Sequence, residues 1–165
     1  MKTKKIAMLG LYIALAFVLS YIESLLPFSI GIPGAKIGLA NLVIVVALFT
    51  IGSREAFCLS VVRVMMVGLT FGNMAMTIYS LAGAMLSFLV MIIAKRTGKL
   101  STTGVSVLGG VFHNVGQIIV AIFVLETTGL LYYLPFLIIV GTISGVVIGV
   151  LSSMIIARVK VAFNQ

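Results

Sequence analysis

Arg63, Lys36 and His113 are the side chains of this 165-residue chain best suited to binding chemistry. Arg63 stands in a stretch that otherwise reads as a membrane-spanning helix. A guanidinium at that depth costs about 2.5–3.5 kcal/mol on insertion scales, so it calls for a partner or a task. Its planar fork suits a phosphate or a carboxylate. Ser60 and Thr70, spaced three and seven residues from it, share its helical face and are expected to point into the bundle with it. Arg63 either forms a buried ion bridge with Glu23 or Glu126, both near the outer ends of their spans, or receives an anionic ligand.

Two further segments carry polar groups at useful spacings. In Gly109-Gly110-Val111-Phe112-His113-Asn114-Val115-Gly116-Gln117, His113 and Gln117 lie one turn apart on one face, with Gly109 and Gly116 leaving room for a ligand or a neighbouring helix. Asn114 is turned about 100° away, a position suited to packing as well as to ligand contact. The run Pro27-Phe28-Ser29-Ile30-Gly31-Ile32-Pro33-Gly34-Ala35-Lys36 cannot continue a helix, so the following helix begins beside Lys36. Free amides there, with the Lys36 ammonium, make a candidate anion site. The alternative is a plain turn whose lysine reaches up to the outer interface.

What is missing narrows the chemistry. The chain has no aspartate and three glutamates, Glu23, Glu55 and Glu126. Magnesium-dependent diphosphate chemistry uses carboxylate-held ions, so neither an aspartate-rich site nor another metal site is expected in this chain. Gly98-Lys99 lacks the upstream glycine and the following hydroxyl of a phosphate-binding loop, so any ATP-driven step needs a partner. Cys58 is the single cysteine, which excludes an internal disulfide. Neither a catalytic residue nor a cofactor is expected.

These groups must be positioned by membrane helices. The chain is 62% hydrophobic and 8% charged, against roughly 45–50% and 25% in soluble domains. Apolar runs and breakers predict an all-α bundle of six transmembrane helices forming one domain, with spans near 6–26, 37–52, 54–71, 74–94, 104–125 and 132–157. The runs are too long and continuous for barrel strands. The first run is also too long for a typical cleaved signal, so it reads as a retained span.

The net charge of +8 is topological and does not indicate nucleic acid. Lys2, Lys4, Lys5, Arg54, Lys95, Arg96, Lys99, Arg158 and Lys160 fall on alternate connections, which places both termini in the cytoplasm. Lys36 and Arg63 are left over, with Arg63 about 13 Å into its span. Small residues four apart (Gly141, Gly145 and Gly149; Gly10 and Ala14; Ser80 and Ala84) predict close helix contacts, within the chain or with another membrane subunit.

The run Pro33-Gly34-Ala35-Lys36-Ile37-Gly38-Leu39-Ala40-Asn41, with Arg63 and the His113-Asn114-Val115-Gly116-Gln117 segment, resembles the family called heptaprenyl diphosphate synthase component I, also labelled Gx transporter. The resemblance covers nearly the whole chain. That family is similar to the substrate-binding S components of energy-coupling-factor (ECF) transporters of the prokaryotic cytoplasmic membrane. The resemblance implies six helices, a ligand taken from the outer side, and docking to a coupling membrane protein and ATPase subunits. Ala7, Gly10 and Ala14 resemble the small-residue docking motif on the first helix of such components.

The reading that results is an S component binding a small anionic or prenyl-diphosphate-like ligand. Lys36 and Arg63 neutralise the anion, His113, Asn114 and Gln117 hydrogen-bond the ligand, and Asn41 orients it. The alternative is a non-catalytic membrane component of polyprenyl diphosphate or quinone biosynthesis.

Overall fold

The computed structural model describes residues 2–25 and 38–163. Every regular element among them is helical: α1 (Lys2–Leu25), α2 (Leu39–Thr50), α3 (Ser53–Thr70), α4 (Met74–Thr97), α5 (Thr102–Leu125), a 3₁₀ helix (Thr128–Tyr133) and α6 (Leu134–Phe163). The starts of α4 and α5 are set by their sequences. Asn73 Oδ1 accepts from the Met76 amide at 2.8 Å, and Ser101 Oγ accepts from the Gly104 amide at 3.2 Å, each satisfying a donor that the first turn leaves open. Gly98, with φ 65°, ends α4 in a left-handed conformation that other residues adopt at a cost.

The helices alternate in direction, and side-chain contacts show which ends coincide. At one end Lys5 of α1 pairs with Glu55 of α3 at 3.4 Å, and Lys95 of α4 donates to the Leu48 carbonyl of α2 at 2.6 Å. Lys95 also lies 5.0 Å from the centre of the Phe49 ring. A cation there complements the negative end of α2. This cationic end carries Arg54, Arg96, Lys99 and Arg158 as well, each in or beside a terminal turn. At the opposite end Phe71 packs against Phe17 and Tyr21 of α1.

Helix α2 packs mainly on α1, α3 and α6, and the other principal helix pairs are α1 with α3, α3 with α4, α4 with α5 and α5 with α6. The apolar core gathers Val43–Leu48 of α2 with Tyr12, Ala16, Leu59, Phe88, Met91 and Ile148, mostly in the half nearer the cationic end. Glycines of α6 seat that helix on α5. A β-carbon on Gly145 would lie 2.6 Å from Val107 Cα, and one on Gly149 2.6 Å from Thr103 Cα. The small-residue ridge of the last helix is thus consumed within the chain.

The six expected α-helices are present, and two of them fall short of a full span by length or apolarity. Among the described residues four helices are long and apolar enough to cross a membrane: α1, α4, α5 and α6. Helix α2 has 12 residues, about 18 Å of rise against a hydrocarbon core of about 30 Å. Its continuous apolar run is buried from Val43 to Leu48, so it is a core helix enclosed by its neighbours. Helix α3 has 18 residues, but Arg54, Glu55 and Arg63 interrupt its apolar character. Elsewhere the helices run past the expected spans on the cationic side, because a helix continues beyond its apolar stretch into basic residues.

Candidate functional site

The local geometry begins at Gly38, whose φ of 80° turns the chain into α2. Its amide donates to Glu23 Oε1, tying the end of α1 to the start of α2. Its carbonyl accepts from the Asn41 amide at 2.8 Å, which fixes the first turn of α2 and with it the Asn41 side chain. Arg63 Nη2 donates to Asn41 Oδ1 at 3.1 Å. Arg63 Nε is buried and donates to no group among the described residues.

A guanidinium has five N–H donors and no acceptor, so one bond to a neutral amide leaves it under-satisfied. The ion-bridge alternative is not met. Glu23 is near enough for its charge to act on Arg63, yet among the described residues no glutamate lies within ion-pair distance of it. Glu126 is exposed, at the end of α5.

Asn41 also lines a cavity of about 30 Å³ between α2, α3, α4, α5 and α6, together with Ser60, Ser87, Ser106, His113 and Ser144. That is space for water, which needs about 10–15 Å³ measured this way, and not for an organic ligand. Two of the hydroxyls are already committed: Ser87 donates to the Gly109 carbonyl at 2.8 Å and Ser144 to the Gly141 carbonyl at 3.3 Å. The structure therefore joins Asn41, Ser60 and His113 around one polar space, with Arg63 attached through Asn41.

The other expected site residues sit differently. Lys36 and the turn preceding it lie outside the described residues. Asn114 is buried and donates from Nδ2 to the Leu137 carbonyl of α6 at 2.7 Å, the packing role its helical position also allowed. Gln117 is not among the cavity-lining residues; a β-carbon on Gly83 of α4 would stand 2.8 Å from its Cγ. Thr70 is exposed and bonds back to Met66 of its own helix at 2.7 Å, so it does not join Ser60 inside. Helix α4 packs beside Gly109 and Gly116, where added β-carbons would meet Met91 Sδ at 2.6 Å and the Ala82 carbonyl at 2.9 Å, and Gly109 also lines the cavity.

Asn114→Ala is expected to lower stability by about 1 kcal/mol, in keeping with interhelical hydrogen bonds in membrane proteins, read as a shift of the thermal midpoint in detergent. Any anion affinity should be unchanged.

Of the cavity serines, Ser60 was picked out from the sequence while Ser87, Ser106 and Ser144 were not, although Ser106 was findable. It precedes Gly109 by three and His113 by seven residues, so it shares their helical face. Among the described residues, no three of His, Cys, Asp and Glu come together as a metal cage.

Residues 12–155 match the family model described as heptaprenyl diphosphate synthase component I. The chain belongs to that family. No curated protein and no solved structure matches it. As a heptaprenyl diphosphate synthase component I protein, it carries a description that implies a partner component. The matched region of this component I chain includes Asn41, Arg63, His113, Asn114 and Gln117, along with Ala14. Ala7 and Gly10 fall before it.

Proposed function

We propose that the protein is the substrate-binding subunit of an ECF-type importer in the cytoplasmic membrane. Both termini lie inside, and the ligand is a small organic anion or a prenyl diphosphate taken from the outer side. The observation that carries this reading is the Arg63 guanidinium, which is bonded to a neutral amide and, among the described residues, has a buried Nε with no acceptor and meets no carboxylate at ion-pair distance. An anionic group supplies the acceptors it lacks, and Asn41 already holds the fork in place. His113 contributes from the cavity wall, and Lys36 adds a second cation.

The ligand must displace side chains around the cavity, since the space present takes only water. The buried apolar cluster lies mostly toward the cationic end, so such movement costs least on the other side of the cavity. Ala7, Gly10 and Ala14 are exposed on α1, and a β-carbon on Gly10 would touch nothing within 4 Å. This face is proposed to dock the coupling subunit, which brings the ATPases.

The family description favours a second reading, a non-catalytic membrane partner of a soluble prenyl synthase. Helix connections at the cationic end as short as Ile51–Gly52 and Gly98–Ser101 offer such a partner little surface.

Glu23→Gln tests the anion-binding reading. Glutamine still accepts the Gly38 amide, while the negative charge acting on Arg63 disappears. Titration of the purified protein with short carboxylates, phosphate esters and farnesyl diphosphate is expected to show several-fold tighter binding of the ligand class that the wild type binds. Equal or weaker binding by a folded Glu23→Gln protein counts against an anion at Arg63.

A further inference from the structure

A second cavity, sharing no lining residue with the first, lies in the crevice between α3 and α4 near the cationic end, and it is independent of the importer reading. The two helices press together at their other ends, where a β-carbon on Gly68 would fall 2.0 Å from Thr77 Oγ1. Toward the cationic end bulky side chains hold them apart. Phe57 and Phe88 pack with ring centres 5.5 Å apart, and beside them opens a crevice of about 620 Å³. Its size falls in the range of about 300–1,000 Å³ typical of small-molecule sites.

The walls are apolar, from Phe57, Met85, Leu89 and Ile92, and the cationic end is flanked by Arg54 and Arg96. Leu89 is 56% exposed, so the crevice is open sideways to lipid. Arg54 stands in the first turn of α3 and Arg96 in the last turn of α4, on antiparallel neighbours, which puts both guanidinium groups at one level. Both are exposed, and neither makes a hydrogen bond or an ion pair among the described residues. Glu55, the carboxylate next to Arg54, is turned to Lys5.

We propose that this crevice binds an anionic phospholipid of the cytoplasmic leaflet, its phosphodiester between Arg54 and Arg96 and an acyl chain along Phe57, Met85, Leu89 and Ile92. The side opening admits a chain from the bilayer without passage through water. Two solvated guanidinium groups at the interface match a headgroup that stays at that level.

The test is native mass spectrometry of the full chain in neutral detergent containing equimolar phosphatidylglycerol and phosphatidylcholine. Wild type is expected to retain one phosphatidylglycerol in preference to phosphatidylcholine. At about 1 kcal/mol per cation, the double variant Arg54→Gln/Arg96→Gln should bind it about 25-fold more weakly. Lys99→Gln/Arg158→Gln removes two exposed cations from the same end but outside the crevice, and should stay within about twofold of wild type. Leu89→Trp fills the crevice and should displace the lipid with both arginines intact. Undiminished retention by the arginine double variant, an equal loss in the Lys99/Arg158 control, or preferential capture of equimolar farnesyl diphosphate would each overturn the proposal.

Discussion

Gly110→Val is expected to prevent α5 and α6 from docking. A β-carbon at Gly110 would lie 2.4 Å from the Gly141 carbonyl oxygen and 3.3 Å from its carbon, so the obstruction is backbone, which cannot rotate aside. On the α6 side Gly141 is equally confined, with Gly110 O and Asn114 Nδ2 each 2.9 Å from its added β-carbon. The helices must therefore separate along the seam that also holds the Asn114–Leu137 bond. Overpacking of cores typically costs about 1–3 kcal/mol, and a backbone obstruction belongs at or above the upper end of that range. Thermal unfolding in detergent should show a large fall in midpoint or loss of the folded monomer. Gly10→Val is the matched control: it meets open space on α1 and should unfold like wild type.

Arg63→Ala is expected to abolish anion binding while leaving the fold assembled. Removing one partner of a buried, hydrogen-bonded charge contact costs about 2–5 kcal/mol of affinity, or roughly 30- to 4,000-fold. Stability should change little or rise, because the alanine removes a desolvated charge whose bond in the structure is to Asn41. That sign separates a receptor from a structural ion bridge, whose loss leaves a glutamate buried and unpaired and lowers stability by about 3–5 kcal/mol. Isothermal titration together with thermal unfolding of the same preparation reads both quantities. Arg63→Lys should recover part of the affinity, since a point charge replaces the fork without its geometry.

Much of the helix layout was legible because apolar run length and breakers are local properties. The apolar run expected to end near 94 and to restart near 104, and the clustering of cations in alternate connections, depend on residues within a few positions of where they stand. Helix α2 was not legible as a short core helix. A continuous apolar run has the same appearance whether it faces lipid or neighbouring helices, and its 12 residues are distinguished only by α1, α3 and α6 closing around them.

The site was partly legible for the same reason. Arg63 and Ser60 share a face by helical period, as do Ser106, Gly109 and His113. The Arg63–Asn41 bond joins two helices, and no period predicts it. Nor does spacing reveal that α4 packs against Gly109 and Gly116, that Asn114 bonds to Leu137, or that packing shrinks the polar space to the volume of water. The α3–α4 crevice went unnoticed because it depends on Gly68 closing one end while Phe57 and Phe88 hold the other open.

The most direct measurement of the central claim follows the Nε–H resonance of Arg63 by nitrogen-15 NMR in lipid nanodiscs, assigned by its absence in Arg63→Lys. Short carboxylates, phosphate esters and farnesyl diphosphate would be titrated in turn. The account predicts that an anion binding saturably to the wild type moves this resonance along the same saturation curve, as the buried Nε gains its acceptor. A saturably bound anion that leaves the resonance unmoved would contradict the claim that Arg63 receives it.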